Sequence, residues 1–151
     1  MSWLTNRQLE QAILRHGDRR VQMAFQGIYP LDRLPQLNIQ GPLFIILNTD
    51  VENLPGRHWK AIYIDENNHG EVFDSLALPP SDRLIRFMNH HTTKWWRNTT
   101  MLQHPLSAQC GIYVLYFVTQ RMYSDSMSDL ISIFSPCLLE NERLMYLFYH
   151  Q

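Results

Sequence analysis

Two cysteines in 151 residues, Cys110 and Cys137, allow at most one intramolecular disulfide and can build neither a disulfide scaffold nor a four-cysteine zinc site. They are read as free thiols. No apolar run approaches the 18 or more residues of a membrane span, and the first fifteen residues mix polar and apolar types without a signal-peptide core. The expectation is a soluble, non-secreted protein. A formal net charge of -1 excludes bulk basicity as a route to nucleic acid. No HExxH spacing occurs, and His90 and His91, adjacent on a predicted helix, point in different directions, so no metal site is expected. No glycine-rich phosphate loop follows a predicted strand, which removes nucleotide-dependent chemistry.

What is present is a core. Seven Tyr, seven Phe and four Trp in a chain that is 45% hydrophobic argue against disorder. A chain of this length buries about 70% of its unfolded surface and fits one domain, taken as residues 1–151. The near-neutral charge conceals blocks: residues 1–37 carry +2, 38–82 carry -5, 83–121 carry +5 and 122–151 carry -3. Arg83, Arg86, Lys94 and Arg97, beside Trp95 and Trp96, form a candidate for weak, salt-dependent contact with DNA, set against the plainer reading of solvated surface arginines and packed tryptophans.

Thr5 and Gln8 fit a capping box, and Leu9 and Ile13 continue a helical stripe, so a helix is expected over about residues 5–16. GIYPLDRLPQLNIQGP, rich in proline and glycine, reads as a loop. LFIILN from Leu43 and HWKAIYI at 58–64 read as strands separated by the loop TDVENLPGR, and EVFD pairs with the second strand as a hairpin through a turn marked by Asn67, Asn68 and Gly70. Ser81 caps a helix of about 82–91; TTMLQH is a further strand; about 110–122 forms a helix whose all-round hydrophobicity implies burial; and about 137–149 is helical.

Cys110 heads that buried helix. Its position offers the thiol free backbone N–H groups and the positive end of the helix dipole, which favour a thiolate, and Gly111 would let a substrate approach the first turn closely. A thiol nucleophile needs a base. His58 begins a predicted strand, Trp59 after it can shield a cysteine–imidazole pair from water, and Asp74 ends the neighbouring strand where it can orient the ring. Gln103 can donate its side-chain amide to an oxyanion together with the Cys110 N–H, with Asn98 and Gln109 as alternatives.

In order and spacing, LNTDVENLPGRHWKAIYI, VFDSLALPPSDRLIRF, QHPLSAQCGIYVLYF and IFSPCLLENERLMYLF resemble the histidine, acid, nucleophile and carboxy-terminal segments of the adenovirus endopeptidase family, and more distantly those of the SUMO-specific proteases. The resemblance implies an α+β fold with a sheet packed against a nucleophile-bearing helix. It also implies a cysteine endopeptidase in which Cys110 attacks, His58 moves the proton, Asp74 fixes the imidazole and Gln103 serves the oxyanion. Aspartate as the acid is the SUMO-protease form; the adenoviral enzymes use glutamate. Viral structural precursors as substrates, residence in the virion and host nucleus, and stimulation by a peptide or DNA are implied in the same way. No cysteine precedes Cys110 to link covalently to such a peptide, which leaves noncovalent activation by peptide or DNA. Two other readings stand beside this one: a ubiquitin-like or SUMO-like isopeptidase, and a non-catalytic virion component or binder of ubiquitin-like proteins on the same fold.

Overall fold

The computed structural model describes residues 3–49 and 58–151. It is an α+β fold whose five-stranded sheet runs in the order β1(Phe25–Pro30), β2(Leu43–Thr49), β3(His58–Ile64), β4(His69–Phe73), β5(Lys94–Arg97). β2, β3 and β4 pair antiparallel, and the edge strands β1 and β5 each run parallel to their neighbour. The expected loop between β2 and β3 falls, from Asp50 to Arg57, outside the described residues.

Side-chain alternation along the strands builds two cores. Phe44 and Ile46 of β2 join Trp59, Ala61 and Tyr63 of β3 on the face covered by helices α1(Asn6–His16), α4(Cys110–Gln120) and α6(Leu138–Tyr149). Leu43, Ile45 and Leu47 join Ile62 and Ile64 on the opposite face, beneath α3(Asp82–His91). Every residue of α4 from Cys110 to Thr119 is buried, so the β-branched Ile112, Val114 and Val118 sit in a central helix whose environment overrides their strand preference. The caps lie where the sequence places them. Thr5 and Gln8 exchange hydrogen bonds of 2.8 and 3.1 Å at the start of α1, and Ser81 Oγ accepts the Leu84 N–H at 3.2 Å.

Three local expectations are corrected. GIYP is not loop but the greater part of β1. As an edge strand it tolerates Pro30, and Gly27, at φ +118°, lies where its register against β2 shifts. TTMLQH is not a strand; the fifth strand is KWWR, and the Leu102 and Gln103 N–H groups instead donate to one carbonyl, that of Ser75. Gly70 belongs to β4 and not to the turn, whose left-handed residue is Asn68 at φ 63°. A Cβ at Gly70 would lie 2.6 Å from Met88 and 2.7 Å from Thr92, so glycine lets α3 settle closely on the sheet. The short helices α2(Arg19–Ala24), capped by Asp18, and α5(Met127–Ile131), capped by Ser126, complete the fold.

Candidate active site

His58 opens β3 and Asp74 follows the last residue of β4, so the antiparallel pairing of these strands brings imidazole and carboxylate together at one end of the sheet. His58 Nε2 lies 2.6 Å from Asp74 Oδ1, both side chains almost wholly buried. The carboxylate is held at every corner. Oδ1 also accepts the Leu76 N–H at 2.9 Å, while Oδ2 accepts the Leu78 N–H at 3.2 Å and faces Lys60 Nζ at 3.3 Å. Burial pushes the Asp74 carboxyl upward, but the hydrogen bond and charge of His58, the charge of Lys60 and the Leu76 N–H outweigh it and hold the group below its usual value. Asp74 is therefore a fixed anion.

Its backbone is clamped as well. Asn98 Oδ1 accepts the Asp74 N–H at 2.9 Å and Asn98 Nδ2 donates to the Asp74 carbonyl at 2.6 Å. Asn98, considered above for an oxyanion role, is thus committed to the acid. Gln109 Nε2 donates to the Glu142 carbonyl on α6. Gln103 Nε2 donates to the Ser107 carbonyl at 2.9 Å, which leaves the second amide hydrogen for another acceptor.

Cys110 is the first residue of α4 and is 0% exposed. Its thiol receives the backbone N–H groups of Trp59 and Gly111, which places the sulfur beside the residue after His58. The thiolate expectation fails here. Burial pushes the thiol up to about 12, the Asp74 charge adds to the rise, and the backbone donors recover only part of it. In this conformation the resting group is a neutral thiol.

Gly111, expected to let a substrate approach, has a packing role in this structure. A Cβ there would lie 3.1 Å from the Leu4 side chain and 3.4 Å from Trp59, so the missing side chain lets Leu4 and the indole pack against the helix start. Trp59 is fully buried beside that position, and its Nε1 finds no hydrogen-bond partner among the described residues.

The four cations of the basic block do not share one surface feature. Arg83 and Arg86 line a cavity of about 520 Å³ with Asp32, His90 and His91, and Arg83 donates to the Asp32 carbonyl. Arg97 lines a different cavity of about 630 Å³ with Trp96 and Arg121, and Lys94 lies over the Trp96 ring at 5.5 Å. Residues that composition and spacing did not single out are Lys60 and Ser75. Both lie within segments already read as catalytic, a lysine two positions beyond the histidine and a serine next to the acid, but only the pairing of strands and loops shows whom they face.

A cysteine protease, S273R, of African swine fever virus is 31% identical over 99 aligned residues, which cover 58% of this chain and 36% of that protein. A SUMO-1 cysteine protease S273R from another isolate of the virus is 30% identical over the same span. Two crystal structures of the African swine fever virus pS273R protease, the first of its selenomethionine form, superpose with TM-scores of 0.70 and 0.68 at 21% identity, covering 98% of this chain and 66% of the other. The fold is that of these cysteine proteases. The SUMO protease Ulp1, crystallised with its catalytic cysteine oxidised to a sulfonic acid, superposes with a TM-score of 0.51 at 15% identity over 98% of this chain and 76% of its own. No protein-family model matches the chain. This chain spans about a third of the length of the curated relatives it matches. No helix among the described residues is long and apolar enough to cross a membrane.

Proposed function

We propose that this protein is a cysteine endopeptidase of the kind found in the S273R and adenovirus proteases, cutting viral structural precursors during capsid maturation. The observation that carries the reading is the buried 2.6 Å contact between His58 Nε2 and Asp74 Oδ1 beside a cysteine at the head of α4. A thiol, an imidazole and an oriented carboxylate in that relation are what acyl transfer requires, and a purely structural role needs none of them.

The tautomer follows from the geometry. With Nε2–H committed to Asp74, the other ring nitrogen, Nδ1, is the one able to take a proton. As a peptide carbonyl reaches the thiol, the sulfur–carbon bond forms while the Cys110 proton passes to Nδ1. The carbonyl π electrons move onto oxygen, where the uncommitted Gln103 amide hydrogen and the Cys110 N–H receive the charge. Collapse of the tetrahedral intermediate breaks the carbon–nitrogen bond, and His58 returns the proton to the departing amine. Water, deprotonated by the same imidazole, then hydrolyses the thioester and restores the thiol. Asp74 keeps its charge throughout and stabilises each transient imidazolium.

Action in the virion and the host nucleus, and help from a noncovalent peptide or DNA, belong to this proposal and rest on the family resemblance alone. The test is a panel of glycine-containing precursor peptides and intact ubiquitin-like fusions, run with the parent chain and with Cys110→Ala. Cleavage of the peptides, abolished in Cys110→Ala, supports the reading. Exclusive cleavage of the fusions replaces it with an isopeptidase, and binding without cleavage of either reduces the chain to a non-catalytic module.

A further inference from the structure

We propose that Ser75 is a positioning residue that anchors the oxygen end of the Gln103 amide, so that the strand end carrying the acid also holds the oxyanion donor in place. The inference rests on the protease reading above.

Ser75 follows Asp74 and is 0% exposed. Its carbonyl accepts the backbone N–H groups of Leu102 and Gln103 at 2.8 and 3.0 Å, pinning the loop that bears the glutamine. Its hydroxyl lies 2.5 Å from Gln103 Oε1, in a bond between two buried side chains. The directions of these bonds follow from chemistry. The Ser107 carbonyl can only accept, so the amide nitrogen of Gln103 must face it; Oε1 therefore faces Ser75, and the Ser75 hydroxyl must donate.

Without that donor, the Ser107 carbonyl still draws the amide nitrogen, but the oxygen end is unheld, and rotation about the remaining bond turns the hydrogen meant for the oxyanion away from it. The Asp74–Ser75 pair thus governs both halves of the chemistry. The carboxylate orients the imidazole that moves the proton, and the adjacent hydroxyl steadies the amide that receives negative charge. An oxyanion donor acts only when preorganised, and losing one costs on the order of a hundredfold to a thousandfold in kcat. Ser75→Ala leaves the donor present but half-held, so a loss of about tenfold in kcat with little change in KM is expected.

The experiment is a double-mutant cycle with Ser75→Ala, Gln103→Ala and both, read by peptide hydrolysis and by alkylation of Cys110 with iodoacetamide at pH 9. Alkylation makes no oxyanion, so its rate should stay at the parent value in Ser75→Ala while kcat falls. In the Gln103→Ala background, Ser75→Ala should cost nothing further. Equal losses in both backgrounds, or slowed alkylation, would show that Ser75 acts through the fold or the triad and would overturn the proposal. The Gln103 side-chain amide protons, followed by NMR hydrogen exchange, give a reading independent of turnover. They should be protected in the parent and exchange about tenfold faster in Ser75→Ala. A parent that hydrolyses nothing defeats the protease reading while this exchange still decides the role of Ser75. A parent amide that exchanges as an exposed glutamine does defeats the positioning role even where Ser75→Ala does not fold.

Discussion

The ionisation of Cys110 gives the sharpest test of the site, because two physical effects on it oppose each other and their sizes differ. The head of α4 offers the sulfur a helix dipole and backbone N–H groups, an effect worth up to about 2 kcal/mol, or about 1.5 in pKa. Complete burial works the other way and wins, carrying the thiol from an ordinary 9.0 to about 12. A thiol at that value is about a thousandfold less ionised at neutral pH than an unperturbed one. The perturbation is a pH series from 6 to 11 with iodoacetamide, and Cys137, exposed at the start of α6, serves as the reference in the same molecule. Peptide mapping by mass spectrometry separates the two. Cys110 should label far more slowly than Cys137 at pH 7, and its rate should still be climbing above pH 10, where a free peptide thiol is already mostly ionised and its rate is levelling off. The continued rise separates ionisation from mere steric access, which would slow labelling by the same factor at every pH. Cys110 labelling faster than Cys137 at pH 6 to 7, with a flat profile, would mean a preformed thiolate–imidazolium pair and would refute the argument that desolvation dominates.

Asp74→Asn should lower stability by about 3 kcal/mol in urea unfolding, since it strands Lys60, only 7% exposed, without its counter-charge. Adding Lys60→Met to that variant should recover most of the loss, and no recovery would show that the lysine is not what suffers. Because the folded Asp74 carboxyl lies below its unfolded value, its contribution to stability is present above about pH 4 and should be lost as the pH falls through the folded value; in Asp74→Asn the acid limb of a stability–pH curve should be shallower. Lys94→Ala/Arg97→Ala and Arg83→Ala/Arg86→Ala test the basic block. With Arg83 and Arg86 lining one cavity and Arg97 another, each double substitution should remove only part of any DNA affinity measured between about 50 and 200 mM salt, and unchanged binding in both would dismiss the block.

Much of this site was legible in the sequence because its parts sit on regular elements with strong local signals. The run HWKAIYI marks β3 from its β-formers, the turn at Asn67 and Asn68 folds β4 back onto it, and that alone brings Asp74 to His58. The all-round apolar pattern from Cys110 marks a buried helix, and the helix is buried. The illegible features depend on contacts distant in the chain. GIYP looks like a loop because proline and glycine dominate local propensity, and only pairing with β2 makes it an edge strand. KWWR lacks the alternation of a half-buried strand and pairs because β4 offers it a free edge. The helix-dipole argument for a thiolate holds as a local statement and fails because the sequence does not show how completely the core closes over the sulfur.

Among the four groups that the proposed chemistry uses, three stand on or at the end of rigid elements: His58 on β3, Asp74 at the end of β4 and Cys110 on α4. Gln103 alone rides on an irregular connection, and a donor that must meet a transient charge tolerates little wandering. The structure compensates at the neighbouring residue. The Leu102 carbonyl accepts from Asn141 Nδ2 at 3.0 Å and its N–H goes to Ser75, while the Tyr113 hydroxyl, 3.4 Å from the same carbonyl, donates its one hydrogen to Glu142. Asn141 is itself fixed, since its Oδ1 accepts the Ser135 N–H at 2.7 Å and its Nδ2 also donates to the Ser135 carbonyl at 2.8 Å. The connection is thus tied on one side to the residues that follow β4 and on the other to α6. Asn141→Ala should loosen only the second tie. Its expected signature is a fall in kcat accompanied by an unchanged Cys110 alkylation rate, together with a melting temperature lowered by the loss of three hydrogen bonds, one of them buried. If kcat held while the melting temperature fell, the α6 contacts would serve stability alone, and the position of Gln103 would rest on Ser75.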